Sequence, residues 1–353
     1  MNRVSRFKKI IEEKAIKKFL VSSPVNIYYL TGFQPTTEAY LLYTEQDGFE
    51  LHVTSIDYLE AKNFERDFTV VKTPIELTIS DHMKNRLEKI NGNIFIEYSH
   101  LTYSLFNKFF NTGNVKCENG DEIIISMREV KDLDEIEKIT KAIKITEKGV
   151  LTAQQNILEG KTELELAAET EYEMRRNGAE WFSFESLIVA GVRSANPHAK
   201  STLNKLNKKD LVIVDIGCRY EGYCADITRT FTVGEADKRQ KEIYDLVREA
   251  QEHAIEKIEP GVKASFIDLT AREYLKEKNY DQYFIHTLGH GIGLEIHEAP
   301  PISFRNNSNI KQGNVFTIEP GVYIPGWGGI RIEDIILVGE KKAKVLTNLP
   351  KVI

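Results

Sequence analysis

The chain has 353 residues, 41% apolar and 28% charged, with a formal net charge of −6 at pH 7. That length exceeds what one core usually fills, so two domains are expected, and the acidic balance argues against a nucleic-acid protein. The longest apolar runs, such as 187–192, are far too short to span a bilayer. The N-terminal stretch MNRVSRFKKIIEEKAIKKF is charged throughout and lacks the apolar segment of a secretory signal, so it reads as an amphipathic helix. Three cysteines, Cys117, Cys218 and Cys224, suit a reducing cytoplasm, with Cys218 and Cys224 as small core thiols rather than a disulfide.

Taken in order, residues 18–125 alternate short apolar strand candidates (19–21, 39–42, 49–53 and 93–96) with helical stretches at 56–62, 82–90 and 103–110. This is the pattern of an α/β domain, placed at 1–126. Ser23 suits a helix cap with Pro24 at the first helical position, and Gly32 ends that helix. His52, His82 and His100 have no metal-ligand spacing and read as surface or packing residues. Beyond 126–132 the pattern changes, and a second domain is placed at 127–353. Leu133, Ile136, Ile139, Ile143 and Val150 recur at helical spacing, Gly160 stops the helix, and Thr162 and Glu165 form a capping box for a second helix ending at Gly178. A strand at 186–190 follows. Helices at 235–257 and 264–279, separated by Pro260-Gly261, and strands at 314–319 and 329–338 repeat that order. Two helices followed by strands, twice over, predict a duplicated half with a sheet backed by helices.

Between the two helical pairs lies LVIVDIGCRYEGYCADITRTFT, residues 211–232. Its first six residues are of buried-strand type, 223–232 alternate with a period of two, and 219–222 are turn material, which predicts a β-hairpin. A turn centred on Tyr220 and Glu221 puts Asp215 directly opposite Asp226, about 5 Å away. Two carboxylates that close must either share a proton or hold a cation, and a cation needs more ligands. Three stretches offer them: HTLGHGIGLEIHEAP (286–300), FTIEPGVY (316–323) and GIRIEDI (329–335). Gly289, Gly291 and Gly293 let the backbone crowd in around His290. His297, seven residues on, lies too far for a single helical turn of metal ligands and has a different task. Glu319 precedes Pro320-Gly321 at the end of an apolar strand, and Glu333 lies on an alternating strand with Arg331 on its face.

With DIG, ADITRTF, GHGIG, TIEPG and RIED in the second domain and YYLTGF at 28–33, the sequence resembles the metallopeptidases of the aminopeptidase P, prolidase and methionine aminopeptidase group. The resemblance implies an α/β (α+β) fold, with a creatinase-type N-terminal α/β domain and a C-terminal pita-bread domain of pseudo-twofold duplicated halves. It also implies Asp215, Asp226, His290, Glu319 and Glu333 as metal ligands. Four carboxylates and one imidazole can bridge two divalent ions about 3.5–4 Å apart, which favours manganese, cobalt or iron over a thiolate zinc site. The family points to manganese or cobalt, with iron or zinc as alternatives. The ions would activate a water and polarise the scissile carbonyl, and Glu319 would shuttle the proton. By the same resemblance His198 in NPHAKST and His297 in IHEAP bind the substrate and the oxyanion, Thr228 supports the ligands, and Arg331 holds a carboxylate. A cytoplasmic homodimer acting on short proline-containing peptides is expected.

Methionine aminopeptidases generally lack an N-terminal domain and carry an aromatic residue where this chain has Ile296. Metal-free binding modules of the fold have lost ligands that are all present here. Dipeptidases resembling this chain often place an arginine just after the HE motif to grip the dipeptide's carboxylate, whereas this sequence has Pro300-Pro301, with Arg305 the nearest candidate. The sequence therefore favours an Xaa-Pro aminopeptidase over the alternative, an Xaa-Pro dipeptidase (prolidase).

Overall fold

A computed structural model describes residues 2–111 and 115–353, which divide into two compact units, Met1–Met127 and Arg128–Ile353. The first unit runs α1 (Arg3–Glu13), β1 (Lys18–Val21), α2 (Pro24–Thr31), β2 (Ala39–Thr44), β3 (Gly48–Val53), α3 (Tyr58–Lys62), β4 (Thr69–Lys72), α4 (Ile79–Leu87), β5 (Gly92–Ile96), α5 (Tyr103–Phe110), β6 (Val115–Asn119) and α6 (Asp121–Glu129). Its six strands form one mixed sheet in the order β4-β3-β2-β1-β5-β6. One face buries Leu20, Tyr40, Leu42 and Ile94 under Met83 and Leu87 of α4 and Phe109 of α5. Phe7 of α1 packs edge-on to Phe19, their ring centroids 5.0 Å apart. Helix α2 starts and stops as its sequence directs: the Ser23 hydroxyl accepts from the amide of Asn26, Pro24 opens the helix, and Gly32 closes it in the left-handed region. His52 and His82 do have packing roles, with His52 buried and its Nδ1 3.1 Å from Nε2 of His82.

The second unit runs α7 (Leu133–Asn156), α8 (Glu163–Arg176), β7 (Trp181–Phe182), β8 (Leu187–Ala190), β9 (Leu211–Ile216), β10 (Cys218–Tyr220), β11 (Tyr223–Cys224), β12 (Ile227–Thr232), α9 (Lys238–Glu256), α10 (Ala264–Glu277), β13 (Gly289–Gly291), β14 (Glu298–Ile302), β15 (Val315–Ile318), β16 (Gly321–Ile324), β17 (Gly328–Arg331), β18 (Asp334–Val338) and β19 (Ala343–Val345). Capping boxes open α7, α8 and α9 at Asp132, Thr162 and Asp237. Two helices followed by strands occur twice, as in the pita-bread fold. In the first half β9 lies between β8 and β12, and Gly149 of α7 lets Met174 of α8 and Ile216 of β9 come close. In the second half Ile243, Val247 and Ala250 of α9 and Ala271 and Leu275 of α10 bury against Phe316, Ile318, Val322, Ile330 and Ile336. Burial on this scale, at about 25 cal/mol per Å² of apolar surface, gives the strands that carry the site a rigid support. No helix among the described residues is long and apolar enough to cross a membrane.

Three expectations need correction. The hairpin turn is Glu221-Gly222, both with positive φ (45° and 78°), the signature of a type I′ turn. The register therefore moves by two residues, setting Thr228 rather than Asp226 opposite Asp215. A shift of two keeps the face, so Asp226 becomes the diagonal neighbour of Asp215 on the same side of the sheet. Residues 329–338 are not one strand. Strand β17 pairs with β16 and β18 with β15, and Glu333 occupies the break where the chain changes sheets. Leu133 is 85% exposed, because as the first residue after the cap it precedes the turn that faces the core. The thiols of Cys218 and Cys224 are buried and unpaired, as the sequence suggested.

Candidate metal centre

A cleft of about 510 Å³ in the second unit is walled by Phe184, Leu187, Pro197 and Ile296 and floored by Asp215, Asp226, His290, Glu319 and Glu333. The strands explain how residues so far apart in sequence meet. Asp215 is the penultimate residue of β9 and Asp226 precedes β12. His290 is the middle residue of β13, Glu319 follows β15, and Glu333 sits between β17 and β18. Side chains at strand ends leave the ladder and can point over its edge into a cavity. The glycines beside His290 permit close approach of neighbouring chains: a Cβ at Gly289 would stand 1.9 Å from the carbonyl oxygen of Thr317, and one at Gly291 would stand 2.4 Å from that of Ala299.

His290 Nδ1 lies 3.1 Å from the carbonyl of Gly291, to which it can only donate. Its Nε2 then faces Asp226 Oδ2 at 3.5 Å and Glu319 Oε1 at 3.4 Å. Donor atoms of Asp226, His290 and Glu333 lie within 4.8 Å of one another. Asp215 Oδ1, Asp226 Oδ1 and Glu333 Oε1 are buried and accept no hydrogen bond from any described residue. Burial, reinforced by Asp215 and Glu319, holds the Asp226 carboxyl well above its usual range. Burial likewise raises Glu319, and burial with Asp226 and Glu319 raises Glu333. Orphaned carboxylate oxygens gathered beside one imidazole, with Asp226, Glu319 and Glu333 held against ionisation, are the donor set of a divalent cation site.

The surrounding groups fix these carboxylates. Arg331 is buried and anchored through all three of its nitrogens: Nε donates to Thr228 Oγ1 at 3.1 Å, one terminal nitrogen to Tyr323 Oη at 2.7 Å and the other to Asp215 Oδ2. It thus holds Asp215 directly. Thr228 donates to Glu333 Oε2 at 2.7 Å. Thr317 donates to Glu319 Oε1 at 3.1 Å. His297 projects from the segment before β14, its ring edge-on to His290 with centroids 4.2 Å apart, and His198 lies exposed in the lining, on the 196–200 segment. Arg305 does not line the cleft; it stacks on Phe304.

Three residues with structural roles here, Gln251, Glu298 and Tyr323, were not read from the sequence. Gln251 on α9 is fully buried and donates to the carbonyls of Ile318 (2.8 Å) and Ile332 (3.2 Å), the residues immediately before Glu319 and Glu333. Glu298, next to His297, receives Lys131 at 2.9 Å and also Arg128; despite its burial these cations keep it ionised below its usual range. Tyr323 bridges Arg331 to His286 Nε2, 2.9 Å away. Tyr323 was legible: in β16 it alternates with Gly321, which pairs with Arg331, so the two side chains share a face. Gln251 carries no local signal, since a glutamine on an amphipathic helix reads as solvated.

Residues 3–130 match the creatinase/prolidase N-terminal domain and residues 137–340 match metallopeptidase family M24. The chain is 42% identical over 347 residues to an Xaa-Pro dipeptidase of Pyrococcus furiosus, covering 98% of this chain and 97% of that one. The prolidase structure of Pyrococcus horikoshii superposes with a TM-score of 0.92 at 38% identity, covering 99% and 98%. An X-Pro aminopeptidase structure from Thermotoga maritima does so at 0.91 and 39% identity, covering 100% and 99%. With both matched segments, and a cleft built from buried carboxylates and one imidazole, the chain belongs to metallopeptidase family M24.

Proposed function

We propose that the protein is a metal-dependent Xaa-Pro dipeptidase, and the observation that carries the metal centre is the convergence of unpartnered oxygens from Asp215, Asp226 and Glu333 beside His290 and Glu319. These five residues would hold two divalent cations, manganese or cobalt by family resemblance, to which the oxygen-rich donor set is suited. When bound, the ions supply an ionised water and a Lewis acid for the peptide carbonyl. Glu319, whose pKa burial raises above the ordinary carboxylate range, can take and return the proton. His297, held neutral by burial and by the neighbouring His290 and His198, offers an N–H to the developing oxyanion. His198, which also lines the cleft, would hydrogen-bond the substrate. Arg331 and Thr228 fix Asp215 and Glu333 and so preset the ligands. Phe184, Leu187, Pro197 and Ile296 give apolar walls suited to a pyrrolidine ring and an apolar first side chain.

The sequence-based preference for an aminopeptidase rests on Pro301, and it gives way to the dipeptidase reading because relatives at 42% and 40% identity, matched over nearly their whole length, are Xaa-Pro dipeptidases. By family resemblance the working form is a cytoplasmic homodimer. Metal analysis together with turnover of matched Xaa-Pro and Xaa-Pro-Yaa peptides tests the reading. Two ions per chain, chelator-sensitive turnover and faster hydrolysis of the dipeptides are expected. Chelator-insensitive turnover or a preference for the longer peptides would overturn it.

Gln251 tests the preset geometry independently of substrate. Gln251→Leu keeps the volume on α9 but releases the carbonyls before Glu319 and Glu333. Metal affinity should fall about 10–100-fold, measured by titrating the metal-free variant. Unchanged affinity would show that the strands alone place both glutamates.

A further inference from the structure

A dipeptide presents its terminal carboxylate beside the scissile bond, so a dipeptidase needs a cation within reach of the cleft. Arg331 and Lys200 are the arginine and lysine side chains that line it. Arg331 is set aside because it is buried and anchored at Nε and both terminal nitrogens to Thr228, Tyr323 and Asp215, so it cannot swing toward a ligand. Arg305 is excluded because it stacks on Phe304 outside the lining. Lys200 remains. It stands two residues beyond His198 on the same wall, its side chain 74% exposed, and its ammonium is held by Glu185 Oε2 at 2.7 Å, another residue of the lining. An ammonium has three donors, so one bond to Glu185 orients Lys200 and leaves two hydrogens for a ligand.

We propose that Lys200, oriented by Glu185, is the specificity residue that receives the terminal carboxylate of an Xaa-Pro dipeptide, in the role that an arginine at position 301 cannot fill here. The inference rests on the dipeptidase reading and sharpens it. A point charge on a flexible stem recognises a carboxylate with less geometric demand than a guanidinium fork, so proline analogues with a displaced acid group should also be accepted. The exposed setting screens the pair and keeps its contribution modest.

The experiment compares Xaa-Pro with its C-terminal amide, Xaa-Pro-NH2, in wild type, Lys200→Ala, Lys200→Arg and Arg305→Ala. Lys200→Ala should raise KM for the free acid about tenfold while leaving kcat and the amide unchanged. Lys200→Arg should restore most of the loss, and Arg305→Ala should behave as wild type. An unchanged acid-to-amide ratio in Lys200→Ala, or loss of acid preference in Arg305→Ala, would overturn the assignment and leave the dipeptidase reading standing. If wild type itself prefers the amide, the dipeptidase reading fails first, and the role of Lys200 with it.

Discussion

Asp226→Asn should lose turnover by orders of magnitude and retain less than the full complement of metal, while the metal-free variant becomes more stable than metal-free wild type. The two effects have one cause. Asp226 is buried against Asp215 and Glu319, and its pKa, like those of Glu319 and Glu333, is raised in the folded chain. Without metal the folded state therefore holds more protons than the unfolded one. The stability this gives is fully present in acid, below the ordinary carboxylate pKa of about 4, and is lost as pH rises through the raised values. An amide removes one of the buried charges. The gain should appear as a higher Tm of the metal-free variant near neutral pH and should vanish in acid, where the wild-type carboxyls are protonated. His82 contributes with the opposite sign, since burial and His52 lower its pKa, but it is common to both proteins and cancels in the difference. Calorimetry of both metal-free proteins across pH, with metal analysis of the loaded forms, checks this. A variant with full metal content and wild-type turnover would remove Asp226 from the centre.

Most of the centre is legible in the sequence because its ligands sit at punctuation: a strand end (Asp215), a glycine-flanked position (His290) and a residue before Pro-Gly (Glu319). What is not legible is how those points are held. The hairpin register turns on Glu221 entering the left-handed region, which a glutamate seldom does and composition does not announce. The break at Glu333 shows in the sequence only as a slip of phase: Ile330 and Ile332 are two apart and Ile335 follows three later, a one-residue slip that does not announce that the chain changes partners. Gln251 acts on carbonyls 67 and 81 residues away, a long-range contact that no local period encodes. In the first unit β4 and β6 escape detection for another reason. They are the edge strands of the sheet, and their half-exposed residues lack the unbroken apolar runs of β1 and β2.

His297→Ala should lose about 10²–10³ in kcat and keep its full metal complement. The geometry separates His297 from the ligands. His290 turns Nε2 toward Asp226 and Glu319, whereas His297 meets His290 only edge-on, and none of the described carboxylates hydrogen-bonds its ring. Burial and the two neighbouring histidines disfavour its charged form, so near neutrality it enters the reaction as a neutral ring with one N–H to give. Glu298, the next residue, is clamped by Arg128 and Lys131, so the ring is delivered from a fixed backbone. A donor placed in advance costs little reorganisation when charge builds on the carbonyl oxygen, which makes its loss a matter of rate rather than of binding. KM should change by less than kcat, and His297→Gln, which restores an N–H at similar reach, should recover part of the rate. Single-turnover kinetics with metal analysis decides the point: a fall in metal stoichiometry would make His297 a ligand, and a rise in KM at constant kcat would make it a ground-state contact.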